Sequence, residues 1–194
     1  MNRRIRNIIG DFYLVIMLLF LYLPIFTMIV LSFNESKSRT RWGGFTLRWY
    51  GELFSNATIM QALHNTLLIA FLSALIATVL GTAAAIGINA MKPTGRNLMI
   101  GLNNIPMLDA DIVTGISLML AFIAFRFSLG FHTVLISHIT FNVPYVLLSV
   151  LPKLKQTNRS AYEAAMDLGA TPRQAFFYTI FPDIVPGVLS GFLL

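Results

Sequence analysis

A chain of 194 residues that is 56% hydrophobic and only 11% charged has the composition of a membrane protein, which excludes an ordinary soluble globular domain. Its formal net charge of +6 comes from lysines and arginines flanking apolar runs, with no basic, aromatic-interleaved polar domain, which excludes a nucleic-acid-binding module. Cysteine is absent, so the chain carries neither a disulfide framework nor a thiolate metal site.

Arg3, Arg4 and Arg6 precede an apolar run over about residues 12–33, long enough to cross a hydrocarbon core that takes roughly 20 helical residues. A cleaved signal peptide has a shorter apolar core, roughly 7–15 residues, and small residues at the cut. This run instead ends in Leu31-Ser32-Phe33-Asn34 and is read as a retained first span. Residues 34–61 are polar and aromatic. Thr46 is a predicted cap for a short helix at the membrane surface that carries Trp49 and Tyr50. Two roles fit Trp49: an interfacial anchor, or an aromatic face toward a cation at the outer mouth of a path.

A second span is predicted over 62–90, with Ala70, Ala74, Ala77, Gly81 and Ala85 forming a stripe of small residues on one helical face, where a neighbouring helix can approach closely. Lys92-Pro93-Thr94-Gly95-Arg96 is a basic turn. The third predicted span, 98–127, is interrupted by Pro106 and carries Asp109 and Asp111. A carboxylate at membrane depth costs roughly 2.5–3.5 kcal/mol on insertion scales, so these two are expected to line a cavity or lie near an interface. Helix capping after Pro106 is their alternative role. A fourth span, 132–151, contains Pro144 and places His138 and Asn142 one turn apart, facing the bundle, where His138 is expected to hydrogen-bond a neighbouring helix. No second ligand stands at metal-binding spacing from it.

Residues 159–181 are too polar to enter a bilayer. Ser160 with Glu163 reads as a reciprocal capping pair, Gly169 as a left-handed helix end, and Thr171-Pro172-Arg173-Gln174 as a second helix start. Two short helices joined at Gly169 follow, each marginal alone because isolated helices under roughly 12–15 residues barely form, so the segment needs a partner surface. Beyond Pro182, an apolar run from Ile184 to Leu194 supplies about half of the roughly 20 residues that a span takes. The chain is therefore expected to be truncated within a fifth span, 184–194. With the N-terminus in the cytoplasm, nine basic residues lie inside (Arg3, Arg4, Arg6, Lys92, Arg96, Lys153, Lys155, Arg159, Arg173) against five outside (Lys37, Arg39, Arg41, Arg48, Arg126). That orientation puts residues 159–181 in the cytoplasm.

Glu163-Ala164-Ala165, followed after three residues by Gly169 and thirteen further on by Pro182, resembles the EAA loop of binding-protein-dependent ABC transporter permeases. Thr179 and Phe181 depart from that family's aliphatic and leucine positions, while the spacing is kept. Asp167-Leu168-Gly169-Ala170 and the later Pro186-Gly187 and Ser190-Gly191 follow the same family. Gly44-Phe45-Thr46 with Trp49-Tyr50, Asn65-Thr66-Leu67, Asp111-Ile112-Val113 with Ile116-Ser117-Leu118, and His138-Ile139-Thr140 with Pro144 are similar to the second-type permease subunit of spermidine/putrescine importers.

The resemblance implies an all-α, type I importer permease bundle (MetI-like), multi-pass in a bacterial inner membrane. It further implies a heterodimer with a homologous permease, a cytoplasmic ATPase dimer that uses ATP and magnesium, and an extracytoplasmic polyamine-binding protein. Coupling to the ATPase is implied for Glu163, Ala164, Ala165, Asp167, Gly169 and Pro182. The chain itself is expected to be non-catalytic and to bind no cofactor or metal: Gly81 to Gly87 is not followed by Lys-Ser/Thr, so no phosphate-cradling loop is present. Polyamines need carboxylates and aromatic faces along their path, which ranks Asp111 first, then Asp109, then Trp49. Permeases for a sugar, phosphate, iron or an amino acid are the rivals within the family. A stand-alone secondary transporter needs inverted repeats or a charged relay, and neither is seen.

Overall fold

The computed structural model describes residues 3–38 and 40–194, without the side chains of 3–9 and 159. Arg39 and the side chains of Arg3, Arg4, Arg6 and Arg159, all used in the charge count, lie outside the described residues. The chain divides into two compact units, 1–63 and 64–194, and its described elements are helical apart from one isolated bridge.

In the first unit, α1 (Arg3–Leu31) continues through Pro24, and a loop then leads to the short α2 (Arg48–Ser55). Asn34 organises that loop. It is 2% exposed, and its carboxamide uses its full capacity of four hydrogen bonds. Nδ2 donates to the carbonyls of Ser38 (3.2 Å) and Arg41 (2.8 Å), and Oδ1 accepts from the backbone N–H of Ser36 (3.2 Å) and Gly43 (2.7 Å). Gly44, with φ of 122°, turns the chain so that Phe45 bridges back to Asn34 and stacks on Phe33 at 5.3 Å. Helix α3 (Ala57–Ala90) follows.

The second unit contains most of α3, then α4 (Pro93–Leu108), α5 (Asp111–Ala124), α6 (Phe131–Gln156), α7 (Arg159–Asp167), α8 (Pro172–Ala175), a π-helical turn (Phe176–Ile180) and α9 (Phe181–Leu193). Among the described residues, four helical runs are long and apolar enough to cross a membrane: Gly10–Leu31, Ala57–Ala90, Phe131–Gln156 and Pro172–Leu193. The bent pair α4 and α5 makes five if it counts as one span.

Two of these runs differ from the predicted spans. The stretch read as one span over 98–127 is two helices bent by 102°, with the break at Asp109-Ala110 and Pro106 accommodated inside α4. The run read as starting at Ile184 starts at Pro172, because α8, the π turn and α9 are contiguous. Pro182 reads as a stop, since it lacks an N–H and crowds the carbonyl four residues back. Widening the preceding turn to π geometry, where the Phe181 N–H bonds the Phe176 carbonyl, carries the helix past it.

The core is a three-helix contact centred on α6. Val146, Leu147, Val150, Leu151 and Leu154 of α6 pack against Ala77, Ala85 and Ile88 of α3 and Ile184 of α9. Small residues permit the approach. A Cβ added at Gly81 would stand 2.7 Å from the Val146 Cβ, and one at Gly191 would stand 3.0 Å from the Val146 Cα. In lipid such close packing, rather than escape from water, holds helices together. Ser73 of α3, 1% exposed, accepts a hydrogen bond from Asn142 Nδ2 of α6 at 3.3 Å and adds a polar clasp to the same contact.

The contact yields a stability prediction. Gly81→Ala overpacks the α3–α6 contact and is expected to cost about 1–3 kcal/mol, lowering the melting temperature of the purified permease in detergent. Gly87→Ala, whose Cβ meets nothing within 4 Å, is expected to leave it unchanged or raised. Equal melting of the two variants would contradict the packing argument.

Candidate functional site

The segment between α6 and α9 is built from local rules. Asn158, not Ser160, caps α7: its side chain accepts from the Ser160 N–H at 2.9 Å, which starts the helix two residues earlier than the Ser160 and Glu163 pair predicts. At the other end, the Gly169 N–H bonds the Met166 carbonyl (2.9 Å) and the Ala170 N–H bonds the Ala165 carbonyl (3.1 Å). With Gly169 at φ of 89°, this is a Schellman closure, in which the glycine takes a conformation that a side chain would strain. Two residues later, Thr171 and Gln174 exchange the reciprocal bonds of a capping box, with Pro172 in the first turn.

Both sides of the turn at Gly169 are thus fixed by hydrogen bonds. Ala175 is fully buried and anchors the second arm, and the rings of Phe176, Phe177 and Phe181 brace the π turn with centroids 5.4–6.5 Å apart. Glu163, Ala164, Asp167 and Pro182 are exposed and Ala165 is half-buried. Leu168 is 89% exposed at the tip of the turn, with exposed Met166 beside it. An ordered, exposed turn that carries bare apolar residues at its tip is a surface shaped for docking.

The second candidate region is the corner between α4 and α5. Asp109 occupies the C-cap of α4, and Asp111 sits in the first turn of α5, where a carboxylate faces the positive end of the helix dipole. Both are exposed. On either side of them, Asn103 Nδ2, Asn104 Oδ1 and Thr114 Oγ1 are buried without a hydrogen-bond partner among the described residues, as is Thr82 Oγ1 of α3. Sequence reasoning passed over the Asn103-Asn104 pair. The available signal was two adjacent carboxamides in an otherwise apolar stretch.

Trp49 belongs to the first unit. Its Nε1 donates to the Asn34 carbonyl at 2.8 Å, and the Arg48 guanidinium lies 5.8 Å from its ring centre. Trp49 and Tyr50 line a cleft of about 500 Å³ with Ser32, Asn34 and Lys37. The indole N–H is committed to the loop around Asn34, and the Arg48 guanidinium beside the ring is paired with Glu52 at 2.6 Å, an arrangement consistent with the anchoring role for Trp49. His138 does not hydrogen-bond a neighbouring helix among the described residues; it is exposed on a cleft of about 360 Å³ that it shares with Gly115, Phe122 and Phe141.

No family model matches the chain. Comparison with curated proteins does find relatives. The chain is 39% identical over 182 residues to the putrescine transport system permease protein PotI of Escherichia coli strain K12, covering 90% of this chain and 65% of that protein. It is 37% identical over 175 residues to the spermidine/putrescine transport system permease protein PotC of Haemophilus influenzae, covering 90% and 68%. A PotC homolog of Mycoplasma genitalium is 28% identical over 210 residues, covering the whole of this chain and 73% of its own. The chain thus spans 65–73% of the length of these relatives. On the strength of this similarity, and with several helices long and apolar enough to cross a membrane, the chain belongs to the family of spermidine/putrescine transport system permease proteins.

Proposed function

We propose that the chain works as the non-catalytic membrane permease subunit of an ATP-driven importer in a bacterial inner membrane, passing polyamines such as putrescine and spermidine into the cell by alternating access. The observation that carries this reading is the ordered turn at Gly169, with apolar residues bare at its tip and its second arm continuous with a membrane-crossing helix. A push on the turn then moves the span directly. The push comes from a cytoplasmic ATPase dimer that binds ATP and magnesium. Glu163, Ala164, Ala165, Asp167, Gly169 and Pro182 form the coupling surface. A second, homologous permease completes the pathway, and an extracytoplasmic binding protein delivers the solute. The N-terminus lies in the cytoplasm on this reading, consistent with the basic-residue bias.

Names carried by the relatives support polyamines over sugar, phosphate, iron or amino acids as the solute. On the solute path, Asp111 and Asp109 supply carboxylates at the corner of the bent span, where irregular backbone at membrane depth needs protein or a water-filled cavity beside it. Trp49 acts at the outer face by holding the loop around Asn34.

Two experiments test this. Gly169→Val forces a β-branched residue into φ of 89° and is expected to lower putrescine uptake at least about tenfold, a difference of ~1.4 kcal/mol in coupling, with the permease still in the membrane. Undiminished uptake would remove the coupling role. Asp111→Asn keeps the shape but removes the charge, and uptake kinetics are expected to show KM for putrescine raised about threefold or more, in line with a lost charge contact of order 1 kcal/mol. An unchanged KM would take Asp111 off the path.

A further inference from the structure

A pocket of about 710 Å³ lies in the second unit, where the C-terminal ends of α3 and α6 meet the coupling segment. That size falls in the range of roughly 300–1,000 Å³ typical of small-molecule sites. Ile86 of α3, Leu154 of α6, and Phe176 and Ile180 of the π turn supply apolar lining, and Asn89, Arg96, Lys155, Thr157 and Tyr162 supply polar lining. Two cations face it, and no carboxylate stands among the described residues that line it.

Arg96 is not a loose surface side chain. Its Nε donates to the Ile88 carbonyl (3.4 Å), and its Nη2 donates to the carbonyls of Asn89 and Met91. These bonds tie the start of α4 to the end of α3, offset the negative end of the α3 dipole, and leave the Nη1 donors uncommitted among the described residues. A guanidinium held in place in this way loses little freedom when it binds an oxyanion. Lys155 is exposed and adds a second, mobile charge.

We infer that this pocket binds the phosphate headgroup of an anionic phospholipid, with an acyl chain against its apolar lining residues. The position argues for a lipid: the pocket lies toward the ends of three runs long and apolar enough to cross a membrane, Ala57–Ala90, Phe131–Gln156 and Pro172–Leu193, and headgroups lie near the ends of such runs when they span. Charge argues for an anionic one, because phosphate finds Arg96 and Lys155 while the ammonium of a zwitterionic headgroup finds no carboxylate among the described lining residues. A lipid seated there touches Tyr162 of α7 and the π turn as well as the ends of α3 and α6. It therefore braces the coupling segment against the spans, whichever way the chain is oriented.

Native mass spectrometry of the purified permease, titrated with phosphatidylglycerol or phosphatidylcholine, tests the assignment. The unaltered permease is expected to retain one phosphatidylglycerol in preference to phosphatidylcholine. Lys155→Gln should weaken that retention about fivefold, the effect of one basic residue at a membrane surface. Lys92→Gln, exposed and outside the pocket, should leave it unchanged. Arg96→Gln should weaken it further, and Lys155→Gln decides the matter if loss of the α3 tie unfolds that variant. Equal retention of the two lipids, or of phosphatidylglycerol by the permease and Lys155→Gln, would overturn the proposal. Displacement of the lipid by millimolar inorganic phosphate would overturn it in favour of a free anion as occupant.

Discussion

Val146 is held between two glycines, and the second unit depends on that contact. Its side chain is 1% exposed, set against Gly81 of α3 on one side, where an added Cβ would clash at 2.7 Å, and Gly191 of α9 on the other, where one would be tight at 3.0 Å. In a bilayer, apolar residues gain nothing by leaving lipid for protein, so helices stay together where backbones can touch and dispersion contacts are dense. The stripe of small residues on α3 and the Pro186-Gly187 and Ser190-Gly191 steps on α9 are sequence features that make this possible. Gly187 repeats the arrangement one turn away, where an added Cβ would stand 2.8 Å from the Ser149 carbonyl.

The same contact bears on the coupling role proposed for the turn at Gly169. α9 is the far end of a helix that begins at Pro172, so the box at Thr171, the π turn and the Val146 contact lie along one continuous element. A displacement at Gly169 has a short rigid route to the centre of the bundle. The π turn is the softest point on that route, because its hydrogen bonding is the least regular, and the cluster of Phe176, Phe177 and Phe181 stiffens it. The α4–α5 corner is the opposite kind of place. There, among the described residues, the fold leaves Asn103, Asn104 and Thr114 with buried polar atoms that have no hydrogen-bond partner, and bends the chain by 102°. Buried polar groups without partners are costly, and a fold retains them where something beyond its own core answers them.

Much of the segment 159–181 was legible because its signals are local. Gly169, Thr171 and Gln174 act within four residues of themselves, and each adopts the conformation that its chemistry favours. The error at α7 was of the same local kind: Asn158 and Ser160 are both good caps, and the choice between them rests on which side chain reaches an orphan N–H first. The bend was legible in kind and not in place. Proline at 106 marks an interruption of the third span, yet the helix runs through it and breaks three residues on, at Asp109-Ala110. The loop around Asn34 was hidden for a stronger reason. Its four bonds reach Ser36, Ser38, Arg41 and Gly43, and nothing in the spacing of an isolated asparagine announces them.

The proposed seat of the Gly169 turn on a partner ATPase is open to a direct test. The chain has no cysteine, so a single introduced thiol can be read without background. Ala164→Cys, exposed on α7, should react with a maleimide in membranes containing the permease alone and be protected when the ATPase is present, while Phe125→Cys, exposed at the end of α5, should react equally in both. Equal labelling of Ala164→Cys with and without the ATPase would contradict the account.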